Sequence, residues 1–219
     1  LFLCAGSVYK ATGTRDMEKL GGLIKKMPHT AVYFLLGAMA ISALPPLNGF
    51  VSEWLTLQAF FLGAFNAIGG SKIFLGICAA MLALTSGLAV ACFVKAFGII
   101  FLAKPRSHCV ESAKEAALPM RIGMLILAVF TVIFGLAAAL IIKLLAGVSS
   151  SVLGIDTSNM NFFLNSLRFA PQIANNTYLS TPLLAILLVL FSAMGFVIYR
   201  VCGNRRAVIY KTWDCGYYK

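Results

Sequence analysis

Glu53 is the only charged side chain between Thr30 and Ser71, in a stretch that is otherwise almost wholly apolar. A charged side chain at the centre of a bilayer costs about 2.5–3.5 kcal/mol on insertion scales, and such residues commonly mark ion or proton paths. Residues 44–49, with the sequence LPPLNG, would interrupt a helix at the same depth. Backbone groups freed there are tolerated only beside protein or a water-filled cavity. The pattern predicts a proton-exchanging carboxyl group beside a helix break.

Other polar residues near this break are candidate channel-lining groups. Ser42, Asn48 and Ser52 could hold water at the break. His29 precedes the apolar stretch, and its imidazole titrates near neutral pH, so it is a candidate proton-access group or simply a solvated side chain. A purely structural role also stays open for Glu53, because a carboxyl group stabilises the N-terminal end of a half-helix.

Lys95 is the second charge within an apolar span, eight residues before Ala103 and so about 12 Å inside it. Its ammonium group could be buried beside an acid and relay protons. Its stem could instead extend along apolar surface and carry the charge to the interface. Glu53 and Lys95 could face each other between adjacent helices. Thr85 and Ser86, in the same span as Lys95, are predicted to be helix–helix packing contacts.

The composition defines a membrane protein with no catalytic or metal site of its own. Of the 219 residues, 60% are hydrophobic and 11% are charged, which excludes an ordinary soluble domain. The net charge of +11 is explained by membrane orientation, and we expect no nucleic-acid partner. The six cysteines form no C-x-x-C pair and show no His/Cys ligand spacing, so we expect no metal ligand. No phosphate-binding loop, nucleophile triad or paired-carboxylate site is present, so we predict no catalytic residue.

We therefore predict an all-α, polytopic helical membrane protein with about four transmembrane segments, one of them discontinuous. Leu1 does not begin a signal peptide, and we expect the chain to be the C-terminal fragment of a longer protein. The predicted order is the end of a truncated transmembrane helix (1–10), a basic loop (11–30), a discontinuous helix (31–66, broken near 44–49), a transmembrane helix (72–103), a second basic loop (104–121), a transmembrane helix (122–147), an outward loop (148–178), a transmembrane helix (179–203) and a tail (204–219).

The distribution of basic residues favours one broken helix over a hairpin for residues 31–66. If this segment crosses the membrane once, both basic loops and the tail lie on one side. That side then holds 14 of the 18 Lys and Arg residues, with five in residues 10–29, four in residues 104–121 and five in residues 200–219. Only Lys72, Lys143 and Arg168 lie opposite. Because basic loops stay in the cytoplasm, we predict a plasma-membrane (inner-membrane) protein with cytoplasmic basic loops and tail.

Two motifs resemble a known family. MEKLGGLIKKMP (17–28) and LPPLNGFVSE (44–53) are similar to the antiporter-like membrane subunits shared by respiratory complex I, Mrp-type sodium/proton antiporters and membrane-bound nickel–iron hydrogenases. CFVKAF (92–97), FLAKPR (101–106) and TWDCGY (212–217) most resemble the large subunit of the formate hydrogenlyase and hydrogenase-4 type. In this family the FVSE run carries the charged residue of the second half-channel on a discontinuous helix, which corresponds to Glu53.

The resemblance implies a proton-translocating membrane subunit of a redox-driven complex, a hydrogenase or formate hydrogenlyase, with Glu53, Lys95 and water moving protons. It also implies that other membrane and peripheral subunits are partners, and that they hold the iron–sulfur and nickel–iron centres. We expect no cofactor and no redox chemistry in this chain. Two alternatives stay open: a sodium/proton antiporter subunit, and a structural membrane subunit with a vestigial channel.

Overall fold

The computed structural model describes residues 1–102, 104–153, 168–169 and 179–202, and nearly all of their regular structure is helical. The helices are α1 (Phe2–Thr12), α2 (Pro28–Ile41), α3 (Asn48–Asn66), α4 (Gly70–Phe97), α5 (His108–Glu111), α6 (Leu118–Leu136), α7 (Ala138–Leu153) and α8 (Thr181–Cys202). Short 3₁₀ turns cover Met17–Lys19 and Leu23–Lys25, and a π-helical segment, Gly98–Leu102, extends α4. Two-residue strands β1 (Arg168–Phe169) and β2 (Leu179–Ser180) pair antiparallel.

The apolar helices confirm the predicted class, a polytopic helical membrane protein. In the described ranges, three helices are long and apolar enough to cross a membrane: Gly70–Leu102, Leu118–Leu136 and Thr181–Val201, with mean hydropathies of 2.3, 2.0 and 2.4. Pro28–Ile41 is a shorter apolar helix. The chain divides into two compact units, Leu1–Ala185 and Ile186–Lys219, and the first contains Glu53, Lys95 and both basic loops.

Two predicted segments lie wholly or largely outside the described residues. The predicted outward loop (148–178) overlaps α7, which continues to Leu153, and residues 154–167 and 170–178 of that loop are not described. The predicted tail (204–219), with its 212–217 motif, also lies outside the described residues.

The polypeptide between α2 and α3 forms a defined connection rather than a continuous helix. Pro45 and Pro46 lack N–H donors and are joined by a cis peptide bond. The Leu44 N–H donates to the Met39 carbonyl oxygen at 3.0 Å, which holds the start of the connection against the end of α2. Ala43 adopts a left-handed conformation, with φ of 51°, that is uncommon for a residue with a side chain. Residues 42–47 therefore separate two half-helices.

Two glycines allow the backbone to pack closely at this break. A Cβ atom at Gly49, in the first turn of α3, would overlap the carbonyl oxygen of Ala40. A Cβ atom at Gly135, near the end of α6, would overlap the Pro46 carbonyl oxygen and the Leu47 backbone. Because backbone atoms cannot move aside cheaply, any larger residue at either position would displace the break.

Helix α4 runs antiparallel along both α3 and α2. Near the turn that joins α3 to α4, Leu75 packs against Gly63. At the far end of α4, the rings of Phe97 and Phe101 lie 6.4 Å and 5.3 Å from the ring of Phe34 in α2. Helix α3 therefore contacts the first part of α4, and α2 contacts its far end. This order means that α2 and α3 follow one another along the length of α4, whereas the two arms of a hairpin would pack side by side.

The two basic loops pack against each other beside the start of α2. The Ser107 hydroxyl donates to the Lys19 carbonyl oxygen at 2.5 Å. Leu23, Phe101 and Val110, which come from the two loops and the π-helical segment, are almost completely buried. A shared apolar core therefore holds both loops at one end of the helices.

The segment predicted as one transmembrane helix (122–147) is divided between α6 and α7. The backbone leaves helical geometry at Ala137, with φ of −92° and ψ of 24°. Just beyond it, Ala138 and Ile142 pack in one cluster with Val51 and Leu55 of α3. The interruption falls beside Gly135, where α6 meets the break of the neighbouring helix, so tertiary packing rather than a local proline separates α6 from α7.

Candidate proton-exchange site

A cleft of about 260 Å³ opens where the break meets α3 and α4. Its polar walls come from three elements, since Ser42 belongs to the break, Glu53 to α3 and Ser86 to α4. The remaining lining is apolar or small: Ala43, Phe50, Trp54, Leu57, Gly87 and Val90. Liquid water occupies about 30 Å³ per molecule, so the cleft has room for several water molecules beside the carboxyl group.

Glu53 is half-buried and is held by a hydrogen bond from the neighbouring helix. The Ser86 hydroxyl donates to Glu53 Oε2 at 2.5 Å. The same hydroxyl oxygen lies 3.0 Å from the carbonyl oxygen of Leu82, one turn earlier in α4. A serine hydroxyl carries one proton and two lone pairs, so it can donate to either acceptor but not strongly to both. Ser86 can donate to an ionised Glu53, or accept from a protonated Glu53 while donating to Leu82.

The structure brings Ser42, but not the other candidate channel residues, together with Glu53. Ser42 is buried and lines the cleft. Asn48 and Ser52 are exposed, and their side chains form hydrogen bonds with the backbone of the first turn of α3. Asn48 Oδ1 accepts from the Gly49 N–H, and the Ser52 hydroxyl donates to the Gly49 carbonyl oxygen. The His29 side chain is exposed at the other end of α2. Their proposed roles as water ligands or proton-access groups stay predictions.

Lys95 lies apart from the cleft, in the last turn of α4. It is nine residues after Ser86, which is about 14 Å along the helix axis. Its side chain is exposed and makes no hydrogen bond or ion pair with any residue that the structure describes. Glu53 and Lys95 are thus not a direct pair in this chain, and the role of Lys95 as a proton relay stays a prediction.

The sequence interpretation treated Ser86 as a packing contact and missed its bond to Glu53. A signal for this bond was present in the spacing around the turn at residues 67–69. Glu53 lies 15 residues before Ile68 and Ser86 lies 18 residues after it, so antiparallel helices joined by that short turn bring the two to a similar height. The expectation that α3 and α4 pack antiparallel would therefore have indicated Ser86 as a partner of Glu53.

Two further N–H donors lie on α3 after Glu53. The indole nitrogen of Trp54 and the amide nitrogen of Gln58 are buried, and neither has a hydrogen-bond partner among the described residues. Buried polar groups of this kind are usually satisfied by ordered water.

The described residues contain no group of three or more His, Cys, Asp or Glu side chains arranged to hold a metal ion. Cys4, Cys78, Cys92 and Cys109 have free thiols. The polar side chains that line the cleft carry two hydroxyl groups and one carboxyl group, which can all bind water, and the carboxyl group can also exchange a proton. This arrangement defines a helical membrane protein with a carboxyl group at a helix break.

Comparison with known proteins confirms the family resemblance. Residues 1–82 match the family described as NADH:quinone oxidoreductase/Mrp antiporter, TM. The chain is 37% identical over 221 residues to hydrogenase-4 component B of Escherichia coli K12, and 37% identical over 220 residues to formate hydrogenlyase subunit 3 of the same organism. Each alignment covers 99% of this chain, so the similarity to these subunits extends over nearly its whole length.

The chain spans about a third of the length of these curated relatives, 32% and 33% respectively. A solved structure with the same fold is the membrane-bound sulfane sulfur reductase, an archaeal respiratory membrane complex. The similarity has a TM-score of 0.71 at 24% identity and covers 99% of this chain and 32% of that one. At this level of identity the likeness shows a shared fold.

Proposed function

We propose that this chain forms part of a proton route in a multi-subunit, redox-driven membrane complex of the hydrogenase or formate hydrogenlyase type. Glu53 is the group that takes up and releases the proton. The observation that carries this proposal is the Glu53–Ser86 hydrogen bond across a cleft at a helix break, with Ser42 in its wall. A carboxyl group at membrane depth needs such partners, because in lipid it would be strongly unfavourable.

The break supplies what a proton carrier needs around it. Residues 42–47 separate α2 from α3, and Glu53, in the second turn of α3, lines the same cleft as Ser42 of this break. The cleft can admit several water molecules, and water connects a carboxyl group to more distant donors and acceptors. Phe50, Leu57 and Val90 contribute apolar walls to the cleft.

Ser86 allows the carboxyl group to be held in both protonation states. When Glu53 is ionised, the Ser86 hydroxyl donates to Oε2. When Glu53 takes up a proton from water, its O–H can donate to the Ser86 oxygen, and the hydroxyl proton turns toward the Leu82 carbonyl oxygen. The proton therefore remains on Glu53 until water on one side of the cleft accepts it.

Lys95 is proposed as a second carrier, nearer the end of α4 and reached from the cleft through water.

Ser107 and Lys19 join the two basic loops at this end of the helices, which supports a cytoplasmic location for both loops. Other membrane and peripheral subunits are the proposed partners, and the iron–sulfur and nickel–iron centres that drive transport lie in partner subunits. The bilayer surrounds the apolar helices.

A second candidate function is sodium/proton antiport without a redox partner. The family that matches residues 1–82 includes Mrp antiporters in its description, which favours keeping this candidate. Uptake of radioactive sodium by membrane vesicles, measured with and without an imposed proton gradient, separates the two functions. Sodium movement that depends on Glu53 and needs no electron donor would support antiport.

Glu53→Gln tests the proposed function, because it preserves shape and hydrogen bonding but removes the exchangeable proton. We expect electron-driven proton transport in inverted membrane vesicles to fall at least about tenfold, with the complex still assembled. Glu53→Asp retains a carboxyl group and should keep partial activity. Glu111→Gln, which removes an exposed carboxyl group in a loop, is the matched control and should transport normally. Normal transport by an assembled Glu53→Gln protein would reject the proposal and leave a structural subunit.

A further inference from the structure

Helix α2 begins without a capping side chain of its own. Met27 occupies the N-cap position and makes no side-chain hydrogen bond, and Pro28 follows it. The missing acceptor comes from Glu115, which is remote in sequence and belongs to the second basic loop. Glu115 Oε2 accepts from the His29 N–H at 3.0 Å, and Oε1 accepts from the Thr30 hydroxyl at 2.6 Å. Glu115 thus acts as an N-cap provided by another element.

The contact is partly buried and involves both carboxylate oxygens. Thr30 has no solvent exposure, and Glu115 Oε1 also accepts from the Ala116 N–H at 3.1 Å. Burial raises the pKa of Glu115, but the hydrogen bonds from Thr30, Ala116 and His29 lower it by more, so its net pKa lies below the ordinary glutamate value. An ionised carboxylate at this position is also favoured by the N-terminal end of the α2 dipole.

Glu115 joins α2 to α6 at the end opposite the break. It precedes the first residue of α6 by three positions. At the other end of α6, Gly135 contacts the backbone of Pro46 and Leu47. Helix α2 is therefore fixed to α6 at its start and, through the break, near its end. A displacement of α2 would move Ser42, which follows its last residue and forms one wall of the cleft.

We propose that Glu115 is a positioning residue for the proton-exchange site: by capping α2 from the second basic loop, it fixes the position of Ser42 opposite Glu53. This inference rests on the proposed function of Glu53 for its effect on transport. Its structural part, the dependence of the cleft wall on Glu115, does not rest on that function. A cap of purely local importance would stabilise α2 without affecting the cleft.

The test compares the reactivity of a cysteine at the cleft wall with and without the cap. Ser42→Cys is introduced into the intact protein in its native membranes, with the other cysteines replaced, and its rate of reaction with a small maleimide is measured. Glu115→Ala should change this rate by about fivefold, the equilibrium equivalent of losing a typical cap. Glu115→Gln keeps one acceptor oxygen and serves as a second, milder variant in case Glu115→Ala fails to assemble. Glu111→Gln, in the same loop, should leave the rate unchanged.

Transport separates a positioning role from a merely structural one. With Ser42 and the native cysteines intact, Glu115→Ala should lower proton transport per assembled complex severalfold, and Glu115→Asp should restore part of it. An unchanged reaction rate at position 42 in both Glu115→Ala and Glu115→Gln would overturn the inference. A changed reaction rate at position 42 in Glu115→Ala, together with full proton transport by that variant, would also overturn it. Normal transport in Glu53→Gln would instead reject the proposed function, while the labelling rate would still decide whether Glu115 positions the cleft wall.

Discussion

At the scale of single residues, the pairing of Glu53 with Ser86 is the decisive feature. A carboxyl group within an apolar stretch is explained only if its charged form has partners, and a hydroxyl on the adjacent helix is such a partner. Hydrogen bonds to charged groups contribute about 1.5–3 kcal/mol, roughly twice a neutral bond. This contact is therefore strong enough to hold the carboxyl group toward α4.

The neighbouring residues of α4 allow a closely matched test of this contact. Ser86→Ala removes the donor to Glu53 and should lower proton transport about tenfold, equivalent to ~1.4 kcal/mol, with little loss of assembled complex. Thr85→Ala is the control, because the Thr85 hydroxyl bonds only to carbonyl oxygens of its own helix among the described residues. Equal transport in the two variants would show that Ser86 has no part in the route.

Lys95 gives a prediction that separates the two interpretations left open by the sequence. If its ammonium group relays protons, Lys95→Ala should reduce transport at least about fivefold in an assembled complex, and Lys95→Arg should restore little because arginine does not release its proton. If the lysine only reaches toward the interface, both variants should transport normally. Vesicle acidification per unit of electron transfer provides the measurement.

At the scale of elements, the break depends on its contact with α6. Gly135→Ala would place a methyl group against the Pro46 carbonyl oxygen, and such overpacking costs typically about 1–3 kcal/mol. We expect a lower thermal unfolding temperature and reduced transport. Gly123→Ala is the control on the same helix, since a Cβ atom there meets nothing within 4 Å in the described structure. An unaltered unfolding temperature in Gly135→Ala would mean that this contact does not support the break.

At the scale of the whole molecule, the loop contacts argue for a single membrane crossing by α2 and α3 together. Single cysteines engineered at Thr14 and Ser112, with the native cysteines removed, should both react with an impermeant maleimide added from the cytoplasmic side. The contacts of Ser107 with Lys19 and of Glu115 with His29 are the physical reason. Labelling of the two positions from opposite sides would contradict this topology.

Sequence reasoning predicted the fold class, the family resemblance and a carboxyl group beside the break, because each depends on local signals. The proline pair, the apolar spans and the isolated Glu53 can all be recognised in the amino-acid sequence alone. The cap by Glu115 and the division of α6 from α7 at Ala137 arise from tertiary packing between distant residues, so no local pattern reports them. The contact of Ser86 with Glu53 is intermediate between these cases, since it can be predicted only from the pairing of two helices across a turn.

The most direct test of the central claim is to detect the proton on Glu53 itself. Infrared difference spectra of the intact complex, recorded as electron transfer begins, should contain a C=O stretching band from a carboxylic acid that gains or loses its proton. We predict that Glu53→Gln removes this band and that Ser86→Ala shifts it to higher frequency, because the protonated group loses its hydrogen bond, while Thr85→Ala leaves it unchanged. A band that persists unaltered in Glu53→Gln, in a complex that still transports protons, would contradict the account.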